Sequence, residues 1–236
     1  MSNLIKSEWY RITHSRPSLP IIILGMLGCA LISFLGGEML DFKRNSVSQT
    51  GVMSIYLCAI VLSSLVDTSY TNRIAFYEIM DGKSPNQIIM SKLVVYTPLA
   101  LICCYSTVSA LLLIFDGGAE TVKFILLLFF VFVRGFLSTI FTSMIFKSKD
   151  SAALAMARMM AESLILMFSK STENTTQLLP HALEWLVMGQ LFNMGINVNG
   201  TLTAKVIIGC ICEVSVMYVL TYMSYKRKWM IKTTIL

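Results

Sequence analysis

The 236 residues are 56% hydrophobic and only 14% charged, with a mean hydropathy of +0.71 and a formal net charge of +6. A soluble domain carries about 25% charged residues, and here the apolar residues run in blocks longer than a globular core of this size requires. The composition therefore excludes an ordinary soluble domain and points to an all-α polytopic membrane protein. The positive charge lies between the blocks, where it meets anionic lipid headgroups, so nucleic acid is not the expected partner.

The chain opens with "MSNLIKSEWYRITHSR", in which Leu4, Ile5, Trp9 and Ile12 fall near one helical face and Lys6 and Arg11 away from it. This pattern predicts a helix lying in the inner membrane interface, with a basic tail as the alternative. Pro17 and Pro20 break it before the first apolar block. A spanning helix needs about 20 apolar residues to cross about 30 Å of hydrocarbon. Six blocks qualify, at about 19–36, 51–69, 93–115, 122–146, 152–169 and 206–225. The first lacks a small-residue cleavage site and reads as a retained span rather than a signal peptide.

Lysine and arginine in the short loops set the orientation. With the N-terminus inside, twelve basic residues are cytoplasmic: Lys6, Arg11, Arg16, Arg73, Lys83, Lys92, Lys147, Lys149, Lys226, Arg227, Lys228 and Lys232. Five (Lys43, Arg44, Lys123, Lys170 and Lys205) lie outside, so both termini are expected in the cytoplasm. Between spans five and six, "PHALEWLVMGQLF" offers Pro180 as a helix start, then Leu183, Leu186, Val187 and Leu191 at helical spacing. It is too short to span, and an interfacial or re-entrant outer helix is expected.

The polar segment between spans two and three, "AFYEIMDGKSPNQIIMSK", contains Gly82-Lys83-Ser84. That triplet ends the phosphate-binding loop G-x-x-x-x-G-K-[ST], but Tyr77 stands where the first glycine belongs and no soluble α/β unit surrounds it. The match is accidental, and no nucleotide site is expected on this chain. Ile74, Phe76, Tyr77 and Met80 face roughly one way, which predicts a short amphipathic helix stopped at Gly82. A turn through Ser84-Pro85 follows, then a helical run "NQIIMSKLVVY" into the third span. Glu78 is an acid amid an apolar face in a loop of a basic protein, either a solvated loop charge or a contact.

Phe76, Glu78, Gly82, Ser84, Ile88, Ser91 and Lys92 together fit the form F-x-E-x-x-x-G-x-S-x-x-x-I-x-x-S-K. With the amphipathic start, six spans and outer helix, this resembles the permease subunits of ABC-2 type ABC transporters, most of all the small permeases of lantibiotic-immunity and bacteriocin-peptide exporters. The resemblance implies that the segment is a coupling helix docked on a separate cassette ATPase. Ile74, Phe76 and Tyr77 would anchor it, Glu78 would make a polar contact and Gly82 would stop it. It also implies ATP and magnesium on that partner with no cofactor on this chain, a second permease chain, identical or different, and a place in the bacterial cytoplasmic membrane.

Arg134, Arg158, Glu162 and Glu213 lie within predicted spans. Each costs about 2.5–3.5 kcal/mol at a helix centre and so should face protein or water. Counted from the outer span ends at about 1.5 Å per residue, they sit about 12 to 18 Å deep, two of each sign in one thin slab. A neutral clamp between helices and a gate for an amphiphilic substrate are both open to such a group. Met156, Met159, Met160 and Met167 could line a pliable surface beside it or simply fill the core.

Six cysteines fall inside apolar blocks without metal-ligand spacing, and the two histidines, His14 and His181, lie outside the spans. Neither a catalytic set nor a metal site is therefore expected, and an enzyme is disfavoured. A non-transporting membrane sensor or scaffold, or a secondary transporter, remain as alternatives; the latter usually shows repeated halves, which are not apparent here.

Overall fold

The computed structural model describes residues 2–14, 19–35, 44–71, 82–146, 148–171, 184–196 and 200–233. Among these the regular structure is entirely helical. The elements are α1 (Ser2–His14), α2 (Leu19–Leu35), α3 (Arg44–Thr71), α4 (Pro85–Ala100), a π-helical turn (Leu101–Tyr105), α5 (Ser106–Phe115), α6 (Ala119–Ile145), α7 (Ser148–Ser171), α8 (Val187–Ile196) and α9 (Gly200–Thr233).

Among the described residues, three stretches are long and apolar enough to cross a membrane: the 31-residue rod Pro85–Phe115, the 27-residue Ala119–Ile145, and the 28-residue Gly200–Arg227. At about 1.5 Å per residue even the shortest covers about 40 Å. Shorter apolar runs, Ile22–Ile32 and Thr50–Ser63, lie in α2 and α3. α7 is 24 residues long but carries Asp150, Arg158 and Glu162 along its length.

The rod begins eight residues before the expected span at 93, and its sequence explains why. Ser84 caps the helix: its Oγ accepts from the Gln87 N–H at 3.3 Å, while Gln87 Oε1 accepts from the Ser84 N–H at 3.2 Å. Pro85 then occupies the first turn, where its missing N–H costs nothing. Just before the cap, Gly82 takes a φ of +73°, a left-handed conformation that favours glycine. Within the rod, Pro98 interrupts the hydrogen-bond ladder and the π-helical turn follows.

The core is centred on α3 and α6. α2, α7 and α8 pack on α3, while α9 packs along α6. Gly135 lets the central pair come close, since a Cβ there would sit 2.8 Å from Ile55 Cγ2. The outward faces of the rod and of α9 carry Ile102, Leu113, Ile114, Ile208, Ile211, Val216 and Val219, all exposed. These are side chains suited to lipid tails.

Two local expectations are revised. α1 forms as expected and buries Leu4 and Ile12, but Trp9 is 50% exposed. The buried face runs Leu4–Glu8–Ile12, because Glu8 finds cationic partners beneath the helix. Of the outer segment, residues 184–186 form a turn and α8 begins at Val187; the proposed start at Pro180 lies outside the described residues.

Replacing Gly135 with Val should overpack the α3–α6 contact and cost about 1–3 kcal/mol. At Gly28 an added Cβ would meet nothing within 4 Å, so Ala should be accepted there and gain up to about 1 kcal/mol from helix propensity. Thermal unfolding in detergent micelles should therefore move in opposite directions for Gly135→Val and Gly28→Ala.

Candidate functional site

The four charges expected at membrane depth meet at one place. Arg134 on α6 donates from Nε to Glu213 Oε2 on α9 at 2.6 Å, and from Nη1 to Gln190 Oε1 on α8 at 2.9 Å. Arg158 on α7 donates from Nε to Glu162 Oε1, one turn on, at 2.9 Å. Its Nη2 reaches Glu213 Oε2 at 3.2 Å, and its Nη1 pairs with Glu213 Oε1 and with Ser138 Oγ. Glu162 accepts a further bond from the Met188 N–H at 2.9 Å, which ties the start of α8 to α7.

Backbone choices make room for this group. Gly209 on α9 faces the Arg134 guanidinium, and a Cβ there would lie 3.0 Å from Nη1. Gln190 is fully buried and passes the network on, donating from Nε2 to the Lys205 carbonyl at 3.3 Å. The Arg158 guanidinium carbon stands 5.8 Å from the centre of the Tyr56 ring on α3, within cation–π range. Five helices thus converge on two arginines and two glutamates of zero net charge.

Burial is uneven across the group. Glu162 and Arg134 are nearly enclosed, whereas the Arg158 side chain keeps 31% of its surface and Glu213 19%. The network therefore has a closed side and an open side. Chemically it is a poor proton carrier, because both arginine charges are fixed and each carboxylate accepts several donors. It suits electrostatic cross-bracing, with a polar edge on its open side.

A second charged group lies where α1 crosses α4. Lys92 has no exposed surface and donates from Nζ to Glu8 Oε1 at 2.8 Å. Tyr96 Oη donates to Glu8 Oε2 at 3.2 Å and accepts from Arg11 Nη2 at 2.7 Å, while Arg11 also pairs with Glu8. Burial pushes the Glu8 carboxyl up, but the Lys92 and Arg11 charges, with hydrogen bonds from Lys92 and Tyr96, outweigh it and hold the carboxyl below its ordinary 4.5.

Several residues of the polar-loop pattern belong to this end of the structure. Gly82 turns the chain, Ser84 caps α4, Ile88 is fully buried, Ser91 Oγ donates to the Ile88 carbonyl at 2.8 Å, and Lys92 holds Glu8. Ile74, Phe76, Tyr77 and Glu78 lie outside the described residues. Among the described residues, no group of three or more His, Cys, Asp or Glu side chains could hold a metal ion. No family model matches the chain, and neither does any curated protein or solved structure.

The sequence reading missed Glu8 and Gln190. Glu8 sits midway between Leu4 and Ile12 at helical spacing, and an acid on that apolar stripe was the available signal. Gln190 sits alone in an apolar run, which gives no comparable sign.

A carboxyl held low in the folded state contributes stability that is fully present above about pH 4.5 and is lost as pH falls through the lower folded-state value. A nitroxide on Ser7→Cys, in a Cys212→Ser background, should report α1 as immobile from pH 8 down to 5. Its mobility should rise below 4.5, and in Glu8→Gln it should be high at every pH.

Proposed function

We propose that the chain is the membrane-spanning permease subunit of an ATP-driven exporter of the ABC-2 type, one that moves an amphiphilic substrate such as an antimicrobial peptide. In this reading the chain crosses the bacterial cytoplasmic membrane six times with both termini inside. Two permease chains pair around a path, and the segment carrying Ile74, Phe76, Tyr77, Glu78 and Gly82 docks on a cassette ATPase that supplies ATP and magnesium.

The observation that carries the reading is the joining of α1 to the start of α4 through Glu8 and Lys92. A device driven from the cytoplasm needs its contact segment held firmly to a spanning helix, or partner motion would be lost in a slack loop. The polar segment runs straight into such an anchorage through the Gly82 turn and the Ser84 cap. The half-open charge network adds support, because a neutral polar edge at membrane depth favours an amphiphile over a simple ion or a sugar.

A tagged chain extracted in mild detergent from its host should bring down a cassette ATPase, and Phe76→Asp and Glu78→Arg should each abolish that recovery. A chain that comes down alone, or with an ATPase indifferent to both changes, would favour a non-transporting sensor or scaffold.

A further inference from the structure

Glu8 divides α1 into sides that spacing alone would join. Leu4, Ile5, Trp9 and Ile12 fall near one face by spacing, yet Leu4, Glu8 and Ile12 turn into the protein and leave Trp9 half exposed. At about 100° per residue, the rest of the helix falls into three parts. One flank holds Ile5 and Trp9, the opposite flank holds Asn3, Ser7 and His14, and the outer edge holds Lys6 and Tyr10.

These parts differ in chemistry. Ile5 packs partly on the core, and Trp9 adds a large ring with one N–H, a side chain suited to the boundary between lipid tails and headgroups. Asn3, Ser7 and His14 are polar and exposed, which suits water. On the outer edge Lys6 is exposed, and the Tyr10 ring stacks on His14 with centroids 3.9 Å apart. Glu8 is the only acid of α1, and it is enclosed against Lys92. The exposed surface of the helix therefore offers a cation and no carboxylate. Its level follows from its hold on the rod, a helix long and apolar enough to cross a membrane. From Leu93 to Phe115 the rod runs about 34 Å at about 1.5 Å per residue, against about 30 Å of hydrocarbon. In a bilayer Lys92 then lies at the edge of that layer, and α1, joined to Lys92 and Tyr96 through Glu8, lies beside it.

We propose that the side of α1 turned away from α4 is a phospholipid-binding surface. Its Ile5–Trp9 flank enters the adjoining leaflet just below the headgroups, Asn3, Ser7 and His14 face water, and Lys6 with Tyr10 holds the phosphate of an anionic phospholipid. A lysine beside a negative membrane surface is attracted to it, and here no exposed acid of the helix opposes that attraction. This goes beyond the transporter reading and holds for the chain in a bilayer whatever the chain carries there.

The experiment uses the full chain in phosphatidylcholine nanodiscs, with Trp185→Phe and Trp229→Phe so that Trp9 alone of the three tryptophans reports. Phosphatidylcholine brominated near the top of its acyl chain should quench Trp9 strongly, and aqueous acrylamide should quench it weakly. In a Cys212→Ser background, Ser7→Cys should react readily with a membrane-impermeant maleimide. At equal mole fraction, brominated phosphatidylglycerol should quench Trp9 more than brominated phosphatidylcholine, through a local enrichment of up to about fivefold. Lys6→Gln should remove that difference.

A Trp9 open to acrylamide and untouched by brominated lipid, or a Ser7→Cys thiol shielded from the maleimide, would overturn the orientation of α1. Equal quenching by the two brominated lipids, or a difference that survives Lys6→Gln, would overturn the assignment of Lys6 to an anionic headgroup.

Discussion

Two arginines and two glutamates drawn together between helices constrain how this fold packs, because a buried charge needs a partner. Removing one member of a buried ion pair leaves an uncompensated charge and costs about 3–5 kcal/mol, a large share of the total stability of a typical domain. Arg134, Arg158, Glu162 and Glu213 come from three helices, and α8 joins through Gln190 and the Met188 N–H. Their sum is zero, so the group can remain out of water as a unit. The positions of α6, α7, α8 and α9 follow from that requirement, and the apolar packing of α3 against α6 closes the structure around it.

The second ionic group does a different job. Glu8 and Lys92 are both almost fully enclosed, and their contact fixes where α1 sits on α4. Because Tyr96 shares Glu8 with Arg11, the crossing is held at three points along more than one helical turn.

Much of this was legible in the sequence, for physical reasons that can be named. The apolar blocks revealed helices because a backbone in lipid has few other ways to satisfy itself. Equal numbers of each sign among the apolar blocks implied pairing, and the four side chains do meet. The turn expected through Ser84-Pro85 is there, with Ser84 capping α4, while the helix expected to stop at Gly82 lies outside the described residues. Glu8 was visible only as an acid on an apolar stripe; its partners Lys92 and Tyr96 are more than eighty positions away, and only tertiary packing brings them together. The π-helical turn was also hidden: Pro98 marks a weak point in the ladder, but the widening after it depends on which hydroxyls can reach the loosened carbonyls.

The central claim is that the four charges joined between α6, α7 and α9 act as one neutral unit, and a double-mutant cycle on Arg134 and Glu213 tests it most directly. Thermal unfolding in nanodiscs would be compared for Arg134→Met, Glu213→Met and the double replacement. Each single change should destabilise strongly by leaving one charge unmatched. The double change, which leaves Arg158 and Glu162 as a neutral pair, should cost much less than the sum of the two. Losses that simply add would contradict the claim and show the two residues to be independent.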